Sequence, residues 1–163
     1  MEKILVAIDF SDLSGKVLET AITTAKTFGS KLYVLHTEPE DPSEMDMNMT
    51  GPNLGGSPSV GLGYNSGAAP TIVKFTEKGK EAIHEMDIIK EHISEQGIET
   101  DYMILDGDLE KNIKREAEYS KSDLIIVGCH KHSRISQLLF GEIGMSFVSQ
   151  CPCPVLIVPE GTK

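Results

Sequence analysis

No stretch of this sequence stays apolar for the roughly 20 residues that a membrane-spanning helix needs. Insertion into a bilayer by a helix is therefore not expected. Positive charge is also scarce. Fifteen Lys and Arg stand against 25 Asp and Glu, a formal net charge of -10. Non-specific nucleic-acid binding rests on clustered Lys and Arg that neutralise phosphates, so a nucleic-acid partner is not expected. Anionic membrane surfaces are disfavoured on the same ground, and the excess of acid reads first as a solubility feature. Cysteine is sparse and odd in number, three in 163 residues. The opening MEKILVAIDF carries an apolar run too short, and too soon followed by Asp9, for a signal peptide. It reads as a first strand. With no export signal, reduced thiols are expected rather than a disulfide framework, and the expected location is cytoplasmic.

What is present is a 39% apolar chain of a length suited to one domain, residues 1–163. The run KILVAI at 3–8 is apolar on both faces, as in the middle of a parallel sheet. Ser11 or Asp12 can cap the helix that follows. Leu13, Val17, Leu18, Ala21, Ile22, Ala25 and Phe28 keep a helical period, and Gly29 ends it. KLYVLH at 31–36 is a second strand. From Glu38 to about Pro70 the periodicity disappears: five prolines and six glycines fall in that stretch. So long a segment without a pattern predicts a flexible insert. Met45, Met47 and Met49 alternate there with polar residues; without Cys or His nearby they are a weak metal signal.

Pro70 suits the first turn of a helix. Ile72, Phe75, Gly79, Ala82, Ile83, Met86, Ile89 and Ile93 mark one face of that helix up to Gly97. ETDYMILD at 99–106 is a third strand. Asp108 can cap a helix carrying Leu109, Ile113 and Ala117. DLIIVG at 123–128 is a fourth strand, ended by Gly128. A loop, a helix opened by Gly141 and a fifth strand at 152–159, PCPVLIVP, complete the chain. Alternation of this kind predicts a parallel sheet covered by helices on both faces, an α/β/α sandwich with right-handed crossovers. Ligands in such folds sit beyond the C-terminal strand ends. Asp9, Thr37, Gly107 and Gly128 all lie at those ends.

The segments KILVAIDFSDLS, KLYVLHT, SDLIIVGCH, LLFGEIG and CPCPVLIVP, in this order and spacing, resemble the universal stress protein (UspA-like) superfamily over nearly the whole chain, the 38–70 insert excepted. The resemblance implies a five-stranded parallel sheet in the order 3-2-1-4-5, of the nucleotide-binding, adenine alpha-hydrolase-like kind. It also implies a homodimer paired through the last strand, Val155–Val158. By the same resemblance Asp9 would bind ribose hydroxyls, Thr37 would offer backbone groups to an adenine, and Val127 and Gly128 would line the pocket. The implied site comprises Ala7, Asp9, Thr37, Val127, Gly128, His130, Lys131, Gly141, Glu142 and Ile143.

ATP-binding members carry the pattern G-x2-G-x9-G-[ST]. Gly128 and Gly141 match its first and third glycines, while Lys131 stands at the second and Glu142 at the Ser/Thr position. The two departures differ in kind. Lys131 gives up a glycine's backbone freedom but brings an ammonium that can pair with a phosphate. An ionised Glu142 donates no hydrogen bond. At a helix N-terminus it supplies its own helix with an anion, favoured by about 0.3–1 kcal/mol. Two like charges about 4 Å apart repel by on the order of 4 kcal/mol at an effective dielectric near 20. Three ligand states follow: ATP in a reshaped cradle, with Mg²⁺ only in that case; a less phosphorylated nucleotide such as AMP or cyclic AMP; or none. The expected function is a dimeric regulatory binding module with altered or weakened ATP binding. The alternatives are a slow ATP-hydrolysing enzyme and a ligand-free dimeric scaffold for a protein partner.

Other constellations are weaker. Cys129, His130 and His132 resemble metal ligands, but Cys151 and Cys153 belong at the opposite end of the sheet, so no joint site is expected. A strain-free bond between Cys151 and Cys153 is not expected either. His36, inside an apolar run, reads as a satisfied core histidine or a pocket wall.

Overall fold

The computed structural model of the chain describes residues 1–38, 77–129 and 144–160. Strand β1 (Lys3–Ile8) leads into α1 (Asp12–Phe28), then β2 (Lys31–Glu38), α2 (Glu77–Glu95), β3 (Thr100–Asp106), α3 (Leu109–Ser120), β4 (Leu124–Cys129), α4 (Gly144–Gln150) and β5 (Val155–Pro159). The five strands form one sheet in the order β3-β2-β1-β4-β5, and every pairing is parallel. This is the α/β class and the strand order expected.

Period-two alternation sorts the central strands between two apolar layers. Ile4, Val6 and Ile8 of β1, with Leu32 and Val34 of β2, pack under Val17, Ala21 and Ala25 of α1 and Ala82, Met86 and Ile93 of α2. Leu5, Ala7, Tyr33, Leu35, Ile125 and Val127 face the other way, onto Leu109, Ile113 and Ala117 of α3 and Phe147 of α4. Residues 4–7 of β1 are at most 1% exposed, because helices cover both faces of the sheet.

Local signals set the helix ends. Gly29 takes a left-handed φ of 67° and its amide bonds back to the Ala25 carbonyl, closing α1 as a glycine at that position does. The Asp108 carboxylate accepts from the Lys111 amide at 2.8 Å and caps α3.

Several boundaries differ from expectation. β2 runs two residues past His36, because β3 supplies ladder partners as far as Thr37↔Leu105 and Glu38↔Asp106. β4 ends at Cys129 rather than Gly128, since Cys129 pairs with Pro159. β5 begins at Val155, not Pro152. Pro152 and Pro154 have no N–H to give a ladder, although the Pro154 carbonyl accepts from the Ile125 amide at 2.9 Å. Beyond Glu38 the expected insert, the helix start at Pro70 and the methionine cluster lie outside the described residues. So do His130, Lys131, His132, Gly141, Glu142 and Ile143.

Candidate functional site

The sheet order changes direction between β1 and β4. From β1 the chain crosses to β2 on one side, whereas β4 lies on the other. Such a switch point leaves a crevice beyond the C-terminal strand ends, because the two crossovers diverge there. The register fixes what gathers at it. Ile8 pairs with His36, so Asp9 and Thr37 both stand one residue past the last β1–β2 pair. Ala7 pairs with Val127, which puts Gly128 level with Ile8. A shallow depression opens at this place, lined by Ala7, Ile8, Asp9, Leu13, Ser14, Val17 and Gly128.

The depression exists because α1 starts immediately over β4. A Cβ built on Gly128 would stand 2.8 Å from Val17 Cγ2 and 3.0 Å from Leu13 Cδ2. Glycine is therefore required at this position for close helix-on-strand approach, independently of any ligand.

Asp9 is anchored by the start of α1. Its Oδ1 accepts from the Ser11 amide at 3.1 Å, from Ser11 Oγ at 2.6 Å and from Ser14 Oγ at 3.3 Å. Ser11 does occupy the N-cap position of α1, but its hydroxyl makes no capping bond. Its proton goes to Asp9 Oδ1 at 2.6 Å, so the side chain is directed at the preceding turn and its oxygen accepts from no amide of α1, a difference from the sequence expectation.

Between Asp9 and Ser11 the chain turns through Phe10, whose φ is 57°. That conformation costs a bulky residue on the order of 1–3 kcal/mol. The Phe10 ring packs on the His36 ring with centroids 4.2 Å apart. His36 is 6% exposed. Both its ring nitrogens face acceptors: the Ile8 carbonyl lies 3.0 Å from Nδ1, and Glu38 Oε1 lies 3.0 Å from Nε2. It is the hydrogen-bonded core histidine that its apolar surroundings suggested.

Of the residues expected at the site, Ala7, Asp9 and Gly128 border the depression together. Thr37 is buried at the end of β2, and Val127 is fully buried in the layer under α3, so neither side chain reaches it. Ile8, Leu13, Ser14 and Val17 also line it without having been expected at the site. Leu13 and Val17 stood out only as positions of the apolar period of α1, and Ser14, a polar residue between them, carries no signal in a linear pattern.

All three cysteines are half-buried free thiols. Burial raises each of them above the ordinary thiol range, Cys151 to about 11 with further help from the neighbouring Cys153. That favours the thiol over the thiolate and lowers their nucleophilicity. Cys129 borders the layer under α3 at the top of β4, and Cys151 and Cys153 join the same layer from the other end. Among the described residues no group of three or more His, Cys, Asp or Glu is placed to hold a metal ion, and no helix is long and apolar enough to cross a membrane.

Comparison with known proteins follows the same lines. The universal stress protein family model matches residues 1–55 and 57–159. The chain is 29% identical to stress response protein NhaX of Bacillus subtilis, over 96% of this chain and 97% of that one. Among solved structures it resembles a universal stress protein in complex with cAMP, at 17% identity and a TM-score of 0.62, covering 96% of each chain. It also resembles the universal stress protein from Archaeoglobus fulgidus in complex with dAMP, at 18% identity and a TM-score of 0.60, covering 97% of this chain and 98% of that one. At these identities the structural likeness establishes the shared fold.

Proposed function

The chain belongs to the universal stress protein family, and from that premise we propose that it is a dimeric regulatory binding module for an adenine nucleotide, with an altered or weakened hold on ATP. One observation carries the reading. The Asp9 carboxylate is fixed at the border of a depression located at the switch point of the sheet. A carboxylate at a strand end beside a crevice is suited to accept hydrogen bonds from sugar hydroxyls. The universal stress proteins of similar fold that were solved with cAMP and with dAMP support the same ligand class.

The depression bordered by Asp9 and Gly128 would take the sugar of the nucleotide. The phosphate end would fall to the segment after Cys129, where Lys131 and Glu142 replace residues of the ATP-binding pattern. An ionised Glu142 offers no donor and repels a polyphosphate, so a nucleotide with fewer phosphates is the better fit.

Isothermal titration with ATP, ADP, AMP and cyclic AMP tests this. The expected order puts AMP or cyclic AMP ahead of ATP, with Asp9→Ala weakening AMP and Glu142→Ser strengthening ATP. Absence of heat with all four at millimolar concentration sinks the proposal.

A further inference from the structure

Three donors converge on one oxygen of Asp9, and they are not equivalent. The amide and hydroxyl of Ser11 reach it at 3.1 and 2.6 Å within the turn that links β1 to α1. The third, Ser14 Oγ at 3.3 Å, belongs to the body of α1. Ser14 is 8% exposed and borders the same depression as Asp9 and Gly128. A hydroxyl has one proton to donate, and here it is directed at the carboxylate across the floor of the rim.

The Ser11 bonds tie Asp9 to its own turn. A donor from a rigid helix ties the carboxylate to the sheet-and-helix frame, since α1 is itself fixed by Val17 and Leu13 against Gly128. Orientation matters for a carboxylate that receives two neighbouring hydroxyls. Hydrogen bonds weaken steeply once the donor angle falls below about 120°, so a tilt of the acceptor plane weakens both contacts at once.

We infer that Ser14 is a positioning residue for Asp9: it sets the direction in which the carboxylate faces the depression, and so decides how strongly the site prefers a nucleotide that carries ribose hydroxyls. This rests on the adenine-nucleotide reading above and names the side chain that controls its sugar specificity.

The test compares AMP with 2′,3′-dideoxy-AMP by isothermal titration on the wild-type chain, Ser14→Ala, Ser14→Cys, Asp9→Ala and the Ser14→Ala/Asp9→Ala pair. Cysteine keeps nearly the size of serine but is a weak donor, so the Ser14→Cys variant separates lost donation from lost packing. Both Ser14 variants are expected to weaken AMP about 3–10-fold, the worth of one hydrogen bond, while the dideoxy analogue is unaffected. In the Asp9→Ala background Ser14→Ala is expected to change nothing further, because residues acting through one another are not additive. Equal weakening of both nucleotides, or an effect that adds to Asp9→Ala, overturns the assignment. So does a wild-type sugar preference that both Ser14 variants leave intact, and this result spares the nucleotide reading. A wild-type chain that binds neither compound overturns both.

Discussion

At the scale of single residues, Gly128 shows how one position can satisfy two demands. As the first glycine of a nucleotide pattern it suggests room for a ligand. The structure gives it another task, since any Cβ there collides with Val17 and Leu13 of α1. Val17 is β-branched and stiff at χ1 in a helix, so the collision cannot be relieved by a rotamer change alone. Gly128→Ala is expected to destabilise the chain by about 1–3 kcal/mol, the usual cost of overpacking. A drop of roughly 2–10 °C in the thermal midpoint follows at this size, with no ligand present. Unchanged urea and thermal midpoints would show that α1 shifts freely and that the glycine matters for binding alone. The rim turn is equally particular. Phe10 accepts a left-handed backbone while its ring covers His36, and the Asp9 oxygen collects the donors of Ser11 and Ser14. The identity of Asp9 as a candidate was legible from its place after an apolar strand. Its partners were not, because a hydrogen bond from Ser14 depends on how α1 leaves the strand.

At the scale of elements, helices and strands follow their local signals closely. α1 has its apolar period, its closing glycine and Asp12 in its first turn. α3 has the Asp108 cap, Glu110 in its first turn and buried Leu109, Ile113 and Ala117 on one face. Where expectation and structure part, the cause is a neighbour. β2 and β4 lengthen because a facing strand offers partners, and β5 shortens because its prolines cannot donate. One weakness in α1 is also local. Gly15 sits in its first turns, and a Cβ added there meets nothing within 4 Å. Gly15→Ala is therefore expected to raise stability by roughly 0.5–1 kcal/mol, by removing the glycine penalty in a helix. Chemical denaturation reads this directly. A loss of stability instead would mean that the segment is strained around the glycine. The pair of glycines thus calls for opposite outcomes from the same substitution.

At the scale of the whole molecule, β5 stands at the edge of the sheet, with a partner strand on one side only among the described residues. Its Leu156 and Ile157 are 38% and 37% exposed, and Val148 of α4 is 42% exposed. An apolar edge strand is a template for pairing with another chain, which supports the proposed dimer through Val155–Val158. Sedimentation of the wild-type chain at micromolar concentration is expected to give a dimer. The double substitution Leu156→Lys with Ile157→Lys is expected to give a folded monomer, because edge lysines oppose strand pairing. A monomeric wild type would remove the dimer from the proposal. The acidic balance of -10 belongs to this scale too. Charge repulsion of that size favours solubility and leaves pairing to the apolar edge.

The sequence by itself determined the alternation of strands and helices, the Gly29 and Asp108 caps and the apolar residues that fill the core. These depend on periodicity and on contacts within a few residues, and a linear reading contains both. It also pointed to Asp9 and Gly128 as strand-end positions and, through family resemblance, to the strand order. Only the tertiary structure decided what those positions do. Gly128 meets α1 across more than a hundred residues of chain, Asp9 accepts from a serine on the helix above it, and β5 lies at an edge with Leu156 and Ile157 exposed. Each of these is a relation between distant segments. The packing of helix on sheet settles it, and no local period records it.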